Sequence, residues 1–257
     1  IIMGISQIIK SILGQTKKIE AVTLPTQGMF YPQDIDIKIK KADLEDIIDY
    51  EYNYDKENLY AVIEAVKSIV RKNTIFNNGY KFEDIKSVDI VYMFLEIVKI
   101  TIKKPIKISF FNDEIGKLDV VEFNNKNFNY FNFDKYNEFY DKMTYELVID
   151  GYRFSMPSIG SENCVTNFLV SKTNDTDCNK WSDYNYDFLF FLGNKNNLTF
   201  SEVENLITIF NFDIDDTERD KIRKIVNEFL DVVSYSIKFN NKVIDIKSKL
   251  DLETIWK

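Results

Sequence analysis

The groups in this chain with the means to do chemistry are its carboxylates: 41 Asp and Glu, set against two cysteines, Cys164 and Cys178, and no histidine. Without an imidazole, Ser-His-Asp and Cys-His nucleophiles, His-ligated zinc or iron and His proton shuttles are closed to a single subunit. Two thiols fall short of a four-thiolate zinc site and do not make a disulfide framework. Carboxylate pairs and carboxylate-bound Mg²⁺ or Ca²⁺ remain. Asp213, Asp215 and Asp216 form the densest acidic run, but a calcium loop needs Gly at its sixth position and Glu218 stands there. The run reads instead as a helix start, with Asp215 or Asp216 as the cap and Glu218 in the first turn. Glu45, Asp46 and Asp49 read as the solvent face of a helix. Neither G-x-x-x-x-G-K-[ST] nor G-x-G-x-x-G occurs, so the usual phosphate cradles are missing. No catalytic, cofactor-binding or metal-ligating residue follows from these patterns, and the chain reads as a non-enzyme with no cofactor.

Charge narrows the partners. The formal net charge is −8, and the basic residues lie scattered among acidic ones. Phosphate neutralisation needs the opposite balance, so nucleic acid is not an expected partner. The strip Lys99, Lys103, Lys104 and Lys107 reads as a helix end followed by a strand. Ile1, Ile5, Ile8 and Ile12 line one stripe of an amphipathic helix within residues 1–19, too short to cross a bilayer and poor in Lys. No membrane is required, and the stripe is expected to dock on the chain's own core or on a partner.

The remaining pattern is α+β in two lobes, each a small antiparallel β element followed by several helices. Residues 20–123 make the first lobe. Ala21 to Leu24 and Met29 to Tyr31 read as a hairpin around Gln27-Gly28, and residues 35–40, IDIKIK, alternate with period two. Apolar stripes then mark helices over 43–49 and 57–71 and a third from Asp84 to about Val98, ended by Pro105. Ile106 to Phe110 and Leu118 to Phe123 read as paired strands. Residues 124–142, NNKNFNYFNFDKYNEFYDK, show no apolar period and read as a junction. Its Phe128, Tyr130, Phe131 and Phe133 are candidates for a contact surface, since aromatics concentrate in interface cores; the alternative is a loop packed on the neighbouring lobe. The second lobe, 143–257, opens with a hairpin around Asp150-Gly151. Its helices pass through Val165 and Phe168, through Tyr186 to Leu192, behind a Thr199–Glu202 capping box, and over 217–233. Strands over 235–239 and 243–246 follow, then an apolar tail with Ile255 and Trp256 that is expected to tuck into a groove.

Two elements echo each other: LPTQGMFYP at 24–32 and MPSIG at 156–160. With Asp89 to Leu95, an Asp-led apolar helix, they carry a resemblance. In Leu24, Pro25, Thr26, Gly28 and Tyr31, in Asp89 to Leu95, and in Pro157 and Ser158, the chain resembles a family of tailed-bacteriophage baseplate hub subunits and baseplate hub assembly proteins. Those landmarks span most of residues 20–235. Where the family's middle segment often carries Cys, this chain has Phe110-Phe111-Asn112. The resemblance implies a structural or assembly component of a tail baseplate, present as several copies among other tail subunits. It implies a virion location after assembly in the host cytoplasm, and it brings no catalytic residues. A transient tail-assembly chaperone and a carboxylate-based metal-dependent hydrolase are the competing readings.

Overall fold

A computed structural model describes residues 16–77, 79–112, 116–172, 198–233, 236–239, 242–246, 249–250 and 255–256. The stripe of Ile1, Ile5, Ile8 and Ile12 and the run 186–192 lie outside the described residues. The chain is α+β, its helices interleaved with small antiparallel sheets. Strand β2 (Ile37–Lys40) lies between β1 (Thr16–Ile19) and β3 (Thr74–Phe76). The period-two pattern does its work there: Ile37 and Ile39 are buried while Lys38 and Lys40 are half-buried. The hairpin expected over 21–31 does not form. Ala21–Thr23 is a 3₁₀ turn, closed by bonds from the Thr23 and Leu24 amides to the Glu20 and Ala21 carbonyls. Strand β2 pairs with β1 and β3 instead.

Three helices follow. In α1 (Leu44–Asn53) Asp43 and Asp46 cap each other's backbone, and in α2 (Leu59–Asn73) the Asn58 side chain accepts from the Tyr60 and Ala61 amides. Helix α3 (Ile90–Ile102) is buried at every position from Ile90 to Val98, apolar residues with Glu96 alone among them. Its last turn closes on Lys103 at φ 55°, just short of Pro105. Strands β4 (Lys107–Asn112) and β5 (Lys117–Glu122) pair as the alternation indicates. Strand β6 (Tyr140–Asp141), at the end of the junction, forms a second three-stranded sheet with β7 (Glu146–Ile149) and β8 (Tyr152–Phe154). Asp150 and Gly151 take φ values of 51° and 86°, the backbone that a two-residue hairpin loop needs. Helix α4 (Ile159–Lys172), α5 (Phe200–Thr208) behind the Thr199–Glu202 box, and α6 (Asp216–Val233), where Asp215 accepts from the Glu218 amide, complete the helical set described. Strands β9 (Ser236–Phe239) and β10 (Lys242–Asp245) end it.

The apolar side chains collect into two cores, and the chain crosses between them more than once. The first surrounds α3; the second gathers Phe30, Leu147, Phe154, Phe168, Val203 and Phe229. The C-terminal hairpin and tail do not stay with the second lobe: Ile237, Ile244, Ile246, Leu250, Ile255 and Trp256 belong to the first core. Trp256 stands edge-on to Tyr50 and to Phe94, each at 5.8 Å, and the Tyr50 hydroxyl donates to the Leu250 carbonyl at 2.5 Å. The lobe boundary at 143 therefore misses this return. A helix apolar on every side needs cover on every side, and the tail supplies part of it.

Candidate functional site

The two echoing elements meet at one place. In the first, Gln27 and Gly28 take φ values of 53° and 75°, and the Met29 amide closes the turn on the Thr26 carbonyl at 3.1 Å, as in a type I′ turn. A Cβ on Gly28 would lie 2.9 Å from the Ala21 Cβ, so both backbone and space demand glycine. The turn aims Thr26 and Tyr31 at Asp89, the residue before α3. Asp89 accepts from the Thr26 amide at 3.0 Å, the Thr26 hydroxyl at 2.8 Å and the Tyr31 hydroxyl at 2.8 Å. The Tyr31 oxygen accepts in turn from the Lys86 amide at 2.8 Å.

The second element grips the same segment from the other side. The Ser87 amide donates to the Pro157 carbonyl at 3.0 Å, the Ile159 amide donates to the Ile85 carbonyl at 2.9 Å, and Lys86 bridges Ser158. Ser158 also starts α4: its hydroxyl accepts from the Ser161 amide at 3.1 Å, while the Ser161 hydroxyl accepts from the Ser158 amide at 2.9 Å. Residues 85–89 are thus clamped between two Pro-[Ser/Thr]-x-Gly turns, one from each lobe.

This joint holds charge out of water. Burial pushes the Asp89 carboxyl up to about 6, against the Tyr31 and Thr26 hydrogen bonds and the Lys86 charge, which favour the anion. Burial likewise pulls Lys86 down to about 8, opposed by Asp89, Glu146 and Asp84. Tyr31 sits well above its ordinary value, through burial and then the Asp89 charge. The Lys86 ammonium donates to the Ser155 hydroxyl at 3.3 Å, inside the second lobe. With three donors on its carboxylate, all from the Thr26–Tyr31 element, Asp89 fastens that element to the start of α3.

The residues singled out as contact candidates are placed as follows. Phe128 lies in the first core, 5.3 Å from Tyr92 and 4.9 Å from Phe123. Phe131 lies in the second, stacked on Phe229 at 4.9 Å and edge-on to Phe30 at 5.6 Å. Tyr130 and Phe133 are partly buried against the first and second cores respectively. Ile255 and Trp256 are interior. The junction thus joins the cores, with Phe128 and Tyr130 against the first and Phe131 and Phe133 against the second; none of the four forms an open face.

Apolar faces do open elsewhere, where the sequence pattern pointed inward. On α1, Leu44 is 72% exposed, Ile48 55% and Tyr52 88%, a ridge at spacing four. The helix turns Asp46 and Tyr50 inward instead. Asp46 is buried and accepts from the Asn73 amide group at 3.0 Å, which corrects its reading as solvent face. On the β4–β5 hairpin, Phe111 and Leu118 pair across the strands and are 59% and 72% exposed. Among the described residues no group of three or more His, Cys, Asp or Glu is placed to hold a metal ion, and no helix is long and apolar enough to cross a membrane. No family model matches the chain, and neither a curated protein nor a solved structure matches it.

Proposed function

We propose that this chain is a structural or assembly component of a bacteriophage tail baseplate, in the hub region, acting through protein–protein contacts as several copies among other tail subunits. The observation that carries the reading is the ridge Leu44, Ile48 and Tyr52, displayed on a capped helix and backed by a firmly packed core. Exposed apolar side chains grouped on ordered elements mark contact surfaces, and permanent assemblies bury about 2,000 Å² or more. The resemblance in Leu24 to Tyr31, Asp89 to Leu95 and Pro157-Ser158 supplies the kind of assembly. The first two meet at Asp89 and the third bonds to residues 86 and 87 just before it, which supports treating them as one unit.

In that setting the polar joint keeps the lobes in a fixed relation, so that surfaces on both meet neighbours in register. The protein belongs to the virion on this reading, having been assembled in the host cytoplasm. Mass spectrometry of purified tail particles tests it. The chain is expected in fixed proportion to known hub subunits, and Leu44→Lys with Ile48→Lys is expected to remove it from particles without unfolding it. Particles that lack the wild-type chain altogether would leave the transient chaperone as the better account.

A further inference from the structure

A cavity of about 250 Å³ opens where the lobes meet, lined by Phe30, Tyr31, Pro32, Tyr80, Asp84, Lys86, Thr144 and Tyr145. Pockets for drug-sized ligands or cofactors run to about 300–1,000 Å³, so this one suits a single side chain. Its walls are largely aromatic, and their faces carry the negative end of the ring quadrupole. Asp84 stands among them with its carboxylate tied to the Lys81 amide at 2.7 Å. Burial, and after it the charges of Asp34, Tyr145 and Asp84, hold the Tyr80 phenol above its ordinary value. Lys86 contributes the one positive charge of the lining. Its ammonium, however, points to Ser155 in the interior, where the Asp89, Glu146 and Asp84 carboxylates all act on it. Arg153 nearby is engaged by Asp141 at 3.3 Å and Glu146 at 3.0 Å.

Tyr145 adds an independent mark. It holds φ at 59°, a left-handed backbone that a bulky side chain adopts at a cost, and its amide closes a turn on the Asp141 carbonyl at 2.8 Å. Glycine would hold that turn without strain. A tyrosine kept there in spite of it places an aromatic ring in the cavity lining, and strained residues of this kind gather at binding sites.

We infer that this aromatic, acid-flanked cavity is a receptor for one cationic side chain, an arginine or lysine carried on a segment of a partner protein. The guanidinium or ammonium group lies against Tyr80 and Tyr145 with Asp84 as its counter-charge, and the aliphatic stem follows Phe30 and Pro32. Guanidinium is the better fit, since its plane stacks on a tyrosine face. The inference does not depend on the baseplate reading: any partner with a projecting cation satisfies it.

The test is a titration of the full chain, labelled at the tyrosine rings and followed by NMR, with acetyl-Gly-Arg-Gly-amide. Saturable shifts are expected on Tyr80 and Tyr145. The citrulline analogue, equal in shape and uncharged, is expected to give none. Asp84→Asn is expected to weaken binding by about tenfold, because a charge-assisted contact becomes a neutral one. Tyr145→Gly, which relieves the backbone, is expected to fold and to lose the site. Equal shifts from the citrulline peptide overturn the inference. So do tighter binding of acetyl-Gly-Glu-Gly-amide, which would make Lys86 the recognition group, and unchanged arginine binding in both variants. Spermidine binding more tightly than the arginine peptide overturns the protein-borne source.

Discussion

Asp89 is a carboxylate in a place that disfavours its charge, and the sign of its pH dependence follows from that. Its folded value of about 6 lies above the ordinary 3.8, so its stabilising contribution is complete below pH 3.8 and is lost as pH climbs through 6. Lys86, at about 8 against an ordinary 10.5, contributes fully above 10.5 and loses that contribution as pH falls through 8. Between 6 and 8 both are charged and each offsets part of the other's burial cost. Asp89→Asn is expected to lower stability by about 1–3 kcal/mol at pH 7, because the Thr26 and Tyr31 donors lose their anionic acceptor. In urea denaturation the deficit should widen from pH 7 to pH 5, since only the wild type gains on protonation there. Gly28 and Gly151 make a second comparison at this scale. Both hold positive φ, but only Gly28 has an atom within van der Waals reach of an added Cβ. Gly28→Ala should therefore cost more than Gly151→Ala, with the strained backbone alone accounting for about 1–3 kcal/mol in each. Equal midpoints for the two variants would remove close approach as a cause.

At the scale of elements, α1 shows how a helix can be legible as a helix and still be misread in rotation. The leucine and isoleucines of 44–48 suit either an inward or an outward stripe. The choice was made by Asp46, which its partners Asp43, Asn73 and Lys72 hold against α2, and by Tyr50, which stacks on Phe94 at 5.3 Å. The consequence is measurable. Ile48→Lys is expected to leave the thermal midpoint nearly where it was, a change within about 0.5 kcal/mol. Tyr50→Ala is expected to cost about 3–5 kcal/mol, in line with removal of a large core ring. A large loss from Ile48→Lys in the isolated chain would mean that the ridge is covered by the chain itself.

At the scale of the whole molecule, Ile255 and Trp256 close the first core. Trp256 closes over Tyr50 and Phe94, residues far earlier in the chain, and strands β9 and β10 lie in the same core. Trp256→Ala is expected to cost about 3–5 kcal/mol and to loosen the first lobe before the second. Hydrogen exchange resolves the order: amides of α1 and α3 should lose protection more than those of α6. Glu96 ties the same region to its start. Burial alone would push its carboxyl up, but hydrogen bonds from Lys17 on β1 and Lys99 outweigh that and hold it below its ordinary value. That contribution is present at neutral pH and fades as pH falls through the lowered value.

Local chemistry was readable from the residues alone. The Thr199–Glu202 capping box, a helix start at Asp215 or Asp216, the Asp150-Gly151 turn and the period-two strand at 37–40 all rest on neighbours within a few positions. The convergence of the two Pro-[Ser/Thr]-x-Gly turns on residues 85–89 was not readable, nor was the return of Ile255 and Trp256 to the first core. Those depend on which buried polar group finds its partner and which apolar face is left uncovered, and both are settled between residues far apart in the chain. For the same reason the aromatics of 124–142 suited a contact surface and a packed loop equally, and packing put Phe128, Tyr130, Phe131 and Phe133 against the two cores. Periodicity reports that a side chain is apolar; only the packed chain decides which side of it is inside.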